Sequence, residues 1–154
     1  MRIVVAVVGK PRDAALAAAI REYETRAARY WPLEVREVRE ESGRSLPNEQ
    51  LRGREAERLA AVVPAGAHVV ACERDGRSMS SEAFAEWLQR RREEARDLAF
   101  VIGGAFGLGE SIQRLTATKL SLAPWTLPHE LARLVLAEQL YRAGTIVRRE
   151  PYHK

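Results

Sequence analysis

The chain has 154 residues, 46% of them hydrophobic and 30% charged. No apolar run approaches the roughly 20 residues that cross a bilayer, and the first apolar stretch is too short for a signal peptide, so we expect neither a membrane-bound nor a secreted protein. A single cysteine excludes an intrachain disulfide and a cysteine-rich zinc site, which favours a reducing cytoplasm. The length suits one domain spanning residues 1–154.

The formal net charge is +4, and arginine carries the excess because only Lys10, Lys119 and Lys154 are lysines. Guanidinium groups suit phosphate contacts and base stacking, so this composition favours a nucleic-acid partner. A bias in genome composition or an adaptation to heat produces the same excess. The charge alone therefore leaves the partner open.

Five apolar, β-branched runs alternate with segments of helical periodicity, which is typical of an α/β fold with a mostly parallel sheet flanked by helices. The predicted strands are residues 3–8, 33–38, 68–72, 98–102 and 120–122. The predicted helices are residues 13–30, 48–63, 80–96, 110–116 and 128–144. Residues 40–47 lack periodicity and collect Gly, Ser and Pro, so we expect a mobile loop there.

A glycine-rich segment follows the fourth predicted strand. It contains Gly103, Gly104, Gly107 and Gly109. Residues without Cβ let a ligand approach the backbone and its free N–H groups, which favours a nucleotide-like cofactor. The spacing matches neither the dinucleotide fingerprint nor the P-loop. A tight structural turn explains the glycines equally well.

A second loop follows the fifth predicted strand and has few ionisable side chains. Its residues are Leu122, Ala123, Pro124, Trp125, Thr126 and Leu127. A ligand there is held by backbone groups, apolar walls and the Thr126 hydroxyl, which suits an adenine ring and a thioether better than a phosphate. Pro128 stands at the expected start of the next helix, with Thr126 as a possible cap.

The last predicted helix and the tail contain the remaining candidates. Leu131, Leu134, Val135 and Leu140 form an apolar stripe that serves either the core or a subunit interface. His129 either binds substrate or caps the helix, and the three histidines are too dispersed for a metal site, so we expect no metal. Terminal tails are usually disordered, but Tyr152, His153 and Lys154 offer groups that hold nucleotides well.

Three blocks, VIGGAFGL, SLAPWTLPHELARLVLAEQLYRA and the terminal PYHK, together resemble the RlmH family, the bacterial 23S rRNA (pseudouridine-N3) methyltransferases of the SPOUT superfamily. The resemblance runs nearly end to end, from the VAVVGK strand exit through the Asp75-Gly76 turn. It implies methylation of the N3 position of a pseudouridine in 23S rRNA of assembled ribosomes, with S-adenosyl-L-methionine as the methyl donor. It also implies a cytoplasmic homodimer whose C-terminal segment forms a trefoil knot.

The resemblance assigns site residues by matching position. The methyl donor would contact Cys72, Gly103 and Gly104 of the IGG turn, and the loop from Leu122 to Leu127. Family members commonly have Leu in place of Cys72, so only its backbone role carries over. We expect Arg142 and His129 around the base as catalytic residues, with Tyr152 and His153 positioning it, potentially across the dimer interface. Gly144 is expected to loosen the end of the last helix.

Two other functions remain open from the sequence. The same pocket would serve methylation of another RNA, such as a tRNA. A ribosome-binding factor of this fold without catalysis is the second alternative, although the intact loops disfavour it. A small chain without an appended RNA-binding domain suits a large preformed substrate better than free RNA.

Overall fold

The computed structural model describes residues 1–42 and 45–154 and shows one five-stranded parallel sheet in the order β2-β1-β4-β3-β5. The strands are β1 (Ile3–Val8), β2 (Leu33–Val38), β3 (His68–Ser78), β4 (Leu98–Ile102) and β5 (Thr116–Ser121). The helices are α1 (Ala14–Ala27), α2 (Asn48–Val62), α3 (Ser81–Glu93), α4 (Glu110–Leu115) and α5 (His129–Val147). The predicted α/β class with a parallel sheet is confirmed. The mobile loop predicted at 40–47 includes residues 43 and 44, which lie outside the described residues.

Helices cover both faces of the sheet, and every residue of β1 and β4 is buried. Because side chains alternate along a strand, Ile3 and Val5 pack with α3 and α5 on one face, whereas Ala6 and Val8 pack with α2 and α4 on the other. No helix in the described residues is long and apolar enough to span a membrane.

Two strands differ from their predicted bounds. The strand predicted at 120–122 begins at Thr116. β5 is an edge strand whose first residues alternate between half-buried and exposed positions, so they do not form an apolar run. The strand predicted at 68–72 continues to Ser78 through a bulge in which Cys72 and Arg77 both pair with Leu120. A Cβ on Gly76 would lie 2.7 Å from the Leu120 backbone, so the bulge requires glycine there.

A buried arginine anchors the first turns of α5. The Arg133 side chain donates to Glu24 of α1 at 2.7 Å and to Glu37 of β2 at 3.0 Å. A buried guanidinium needs such partners because it is costly to remove from water. These ion pairs hold the start of α5 against α1 and the sheet.

Gly144 does not loosen α5, so that expectation is wrong: the helix continues to Val147. A Cβ at Gly144 would lie 2.3 Å from Cγ of Tyr30, in the segment that follows α1. Glycine at this position therefore allows α5 to pack closely against Tyr30.

We expect Gly144→Ala to lower the free energy of unfolding by about 1–3 kcal/mol, because Tyr30 must move to admit the methyl group. Gly53→Ala in α2 is the matched control, since nothing lies within 4 Å of its Cβ position and alanine raises helix stability by up to about 1 kcal/mol. Urea denaturation at fixed protein concentration measures both. An unchanged midpoint for Gly144→Ala would show that the Tyr30 contact is not tight.

Candidate active site

A cavity of about 760 Å³ opens beside the bulge of β3, at the end of β4 and where the chain enters α5. Its size is that of a small-molecule site, and the carboxyl ends of parallel strands are where such sites form. The predicted site residues that line it are Cys72, Gly103, Gly104, Thr126, Leu127 and His129.

A smaller cavity of about 130 Å³ shares the Cys72 and Thr126 walls and adds Leu122, Ala123 and Trp125. The structure therefore brings together Cys72 at the start of the β3 bulge, the IGG turn and the second loop. Pro124 belongs to that loop, is exposed and lines neither cavity.

The glycine-rich turn is closed by a hydrogen bond between two of its own glycines. The Gly107 N–H donates to the Gly104 carbonyl at 3.1 Å, and Gly107 adopts a φ of 79°, in the left-handed region that favours glycine. A Cβ on Gly103 would lie 2.8 Å from the Gly107 carbonyl oxygen. The tight structural turn considered above is therefore present, and it also forms one wall of the larger cavity.

The second loop is fixed at both ends by hydroxyl groups. Ser121 donates from Oγ to the Ala123 carbonyl at 2.8 Å, and Arg74 donates from Nη1 to Oγ1 of Thr126 at 3.2 Å. Pro128, rather than Thr126, occupies the N-cap of α5, and no side chain caps that helix. The prediction of a Thr126 cap is wrong, because its hydroxyl faces Arg74 in the cavity wall.

The Cys72 side chain forms part of the cavity wall as a neutral thiol. Burial raises its pKa to about 12. A thiol of that pKa is a poor nucleophile at neutral pH. Cys72 therefore contributes an apolar surface and backbone groups rather than covalent chemistry.

A buried carboxyl group lies behind the glycine-rich turn. Glu55 of α2 is 1% exposed, and its Oε2 accepts the Glu41 N–H at 3.0 Å. Oε1 has no hydrogen-bond partner among the described residues, and a Cβ on Gly104 would lie 3.1 Å from it. The sequence reasoning missed Glu55, although its position on the apolar face of α2 between Leu51 and Leu59 was a signal.

Burial raises the pKa of Glu55 above its ordinary 4.5, with the nearby Glu40 and Glu41 acting in the same direction, while the Glu41 N–H and Arg58 act against it. Folding therefore favours the protonated form. The associated stability is fully present below about pH 4.5 and is lost as the pH rises toward the folded-state pKa.

We expect Glu55→Gln to become more stable relative to the unmodified chain as the pH rises above about 4.5, because the unmodified chain loses stability there and glutamine cannot ionise. Urea denaturation of both proteins between pH 4 and pH 8 measures the difference. Parallel stability curves would contradict a raised pKa for this buried carboxyl group.

A second cluster of predicted site residues lies on the C-terminal half of α5. Arg142 donates from Nη2 to Oε1 of Glu138 at 2.6 Å, and its guanidinium lies 4.7 Å from the Tyr152 ring centroid. The Tyr152 hydroxyl donates to the same Glu138 oxygen at 3.0 Å. Sequence reasoning missed Glu138, which holds Arg142 and the tail together.

The tail is packed against its own chain. Nδ1 of His153 lies 3.2 Å from Nη1 of Arg142, and Nε2 lies 2.8 Å from Oε1 of Glu82. Because arginine only donates, Nδ1 accepts and Nε2 carries the hydrogen toward Glu82. The Glu138 hydrogen bond raises the pKa of Arg142, which stays cationic, and burial, together with hydrogen bonds to Tyr23 and Glu138, raises that of Tyr152.

His129 lies far from this cluster. It occupies the first residue of α5, beside the larger cavity, whereas Arg142 lies about 20 Å further along the helix axis at the α-helical rise. Within one chain, the structure therefore does not bring His129 to Arg142, Tyr152 or His153.

Comparison with known proteins places this geometry in a family. Residues 1–153 match the family model described as "Predicted SPOUT methyltransferase". The class of protein that the fold and the cavity belong to is therefore a methyltransferase.

Relatives similar over their whole length narrow the class. The chain is 62% identical to the ribosomal RNA large subunit methyltransferase H of Gemmatimonas aurantiaca, over 100% of both chains. It is 45% identical to the protein of the same name from an Anaeromyxobacter species, over 100% of both chains. It is 42% identical to that of Pelobacter propionicus, over 99% of both. The chain belongs to the RlmH family of SPOUT methyltransferases.

Proposed function

We propose that this chain transfers a methyl group from S-adenosyl-L-methionine to N3 of a pseudouridine in 23S rRNA, acting on assembled ribosomes in the cytoplasm. The observation that carries the proposal is the 62% identity, over 100% of both chains, to a ribosomal RNA large subunit methyltransferase H. The convergence of both predicted cofactor loops on one cavity supports it.

The cavity walls fit the proposed methyl donor. Leu122, Leu127 and the Cys72 thiol give an apolar surface for an adenine ring and a thioether. Backbone groups of the IGG turn and the Arg74 guanidinium offer polar contacts for the amino-acid end. When bound, S-adenosyl-L-methionine supplies an electrophilic methyl group on a positively charged sulfur.

The reaction requires alignment and removal of one proton. The methyl group would pass from sulfur to N3 of the base, and the electron pair of the carbon–sulfur bond would stay on sulfur. The imide proton on N3 must leave first, and a neutral His129 beside the cavity is the proposed acceptor. Arg142, kept cationic by Glu138, would stabilise the anion that develops on the base.

A homodimer would bring the two ends of α5 into one site. If two α5 helices pack antiparallel about a two-fold axis near Val135, His129 lies opposite the partner subunit's Arg142. Leu131 is 37% exposed, and Leu134 and Val135 are partly exposed beside that axis, so the contact would be apolar. We propose this composite site, together with a C-terminal segment threaded as a trefoil knot.

The test uses the purified protein with labelled S-adenosyl-L-methionine. Ribosomes that lack the pseudouridine methyl group should accept label, whereas free 23S rRNA and tRNA should not. Label in tRNA alone would show that tRNA, and not the ribosome, is the substrate. A protein that binds ribosomes but neither binds the cofactor by calorimetry nor transfers label would be a non-catalytic factor, contrary to the proposal.

A further inference from the structure

The last turns of α1, α3 and α5 and the residues just after them are rich in arginine. Besides Arg26 and Arg91, which pair with carboxylates, this region contains Arg29, Arg90, Arg92, Arg148 and Arg149, called here the arginine cluster. We propose that the arginine cluster holds the phosphodiester backbone of the RNA that flanks the target base. This inference rests on the proposed function, and it assigns the substrate a docking surface outside the cavity.

Packing orients two of these guanidinium groups. Arg92 lies 4.0 Å from the Trp31 ring centroid and donates to the Tyr30 carbonyl at 3.0 Å. Arg148 lies 4.6 Å from the Tyr30 ring centroid and donates to the Arg29 carbonyl at 3.3 Å. Aromatic faces and carbonyls thus position these cations while leaving their charge uncompensated.

In residues 1–42 and 45–154, no arginine of the cluster forms an ion pair with a carboxylate. The ion pairs there involve other arginines, Lys119 and His153. Burial lowers the pKa of Arg92, and the nearby charge of Arg148 lowers it further, so the two cations repel each other. Helix dipoles favour basic residues at C-terminal ends, but they do not remove repulsion between converging cations. A polyanion does.

A groove lies beside the arginine cluster. It lies between α3 and the end of α5, measures about 620 Å³ and is flanked by Arg90 and Arg149. Ala85, Ile146 and Val147 give it an apolar floor, and Glu86 is the only acidic residue among its lining. Cations on both rims over an apolar floor suit a phosphate backbone with a sugar beneath it.

The cluster lies next to the proposed site. Arg148 follows Arg142 by about 10 Å along α5. In the antiparallel dimer proposed above, it also lies close to the loop that precedes the partner's α5. RNA that presents a base to Arg142 therefore passes the arginine cluster with its flanking phosphates.

The test is the salt dependence of ribosome binding by the full-length protein. We expect the double variant Arg90→Ala/Arg149→Ala to lower the slope of log K against log salt by about 2, one for each lost phosphate contact. The Kd for S-adenosyl-L-methionine should not change, because neither residue lines the cavity. Arg54→Ala, an exposed arginine of α2 on the other face of the sheet, should keep the original slope.

A pair of charge-conserving substitutions distinguishes the loss of charge from a change in structure. Arg90→Lys/Arg149→Lys should retain the slope, since each lysine still neutralises one phosphate. The inference is overturned if the double alanine variant keeps the slope of the unmodified protein, or if it changes no more than Arg54→Ala. Ribosome binding by the unmodified protein without methyl transfer would contradict the proposed function instead.

Discussion

Gly103→Val is expected to weaken S-adenosyl-L-methionine binding and to lower the rate of methyl transfer at least about 100-fold, the loss of rate that a misplacement of about 1 Å in a catalytic site produces. Even the first added carbon would lie 2.8 Å from the Gly107 carbonyl oxygen and 3.1 Å from a Leu108 methyl group. The glycine-rich turn must therefore open, and its wall of the cavity moves with it. Calorimetry of cofactor binding measures the effect.

Gly53→Ala is the control for this variant as well, because its Cβ position is free of contacts. It should bind cofactor and transfer methyl groups like the unmodified protein. Circular dichroism shows whether Gly103→Val remains folded. A folded Gly103→Val that binds cofactor normally would remove the turn from the proposed site.

Mixing two inactive variants should restore about a quarter of the original activity. His129→Ala and Arg142→Ala each remove one proposed half of a composite site. His129→Ala is expected to lower kcat by about 10²–10⁴, the contribution of general acid–base catalysis, and Arg142→Ala by about 10²–10³, the contribution of one electrostatic stabiliser. In a heterodimer of the two, one site carries both substitutions and the other carries neither. When subunits exchange at random, half of the dimers contain one chain of each variant. One of the two sites in each such dimer is intact, so about a quarter of all sites are active.

The mixture must be unfolded and refolded together, or coexpressed, so that subunits exchange. Each variant refolded alone is the control and should remain inactive. If the mixture stays as inactive as its components, His129 and Arg142 do not act in one site across a dimer. That result would leave the separation of about 20 Å along α5 without a functional explanation.

Unbroken runs of apolar residues in the sequence predicted the central strands well. The bounds of β1 and β4 were correct because each is an unbroken apolar run. The polar first half of β5 gives no such run, since an edge strand is paired on one side only. The bulge in β3 depends on contacts with Leu120, a residue distant in sequence, so no local pattern predicts it.

The convergence of the cofactor loops was also predictable, because parallel strands end at one edge of the sheet. Partners of the site residues were not predictable in the same way. In the sequence, Glu138 is not distinguishable from the other acidic residues on helix surfaces. Only the folded tail brings the Tyr152 hydroxyl to it. The distance between His129 and Arg142 follows from the helical rise alone, but the arrangement of two subunits does not follow from one chain.

Mass-spectrometric mapping of 23S rRNA from a strain lacking this gene shows whether the chain methylates the ribosome. We expect one pseudouridine to lose a methyl group in that strain. We also expect the unmodified gene to restore this group, whereas the Gly103→Val variant should not. A methylation pattern identical in the deletion strain and its parent would contradict the proposed function.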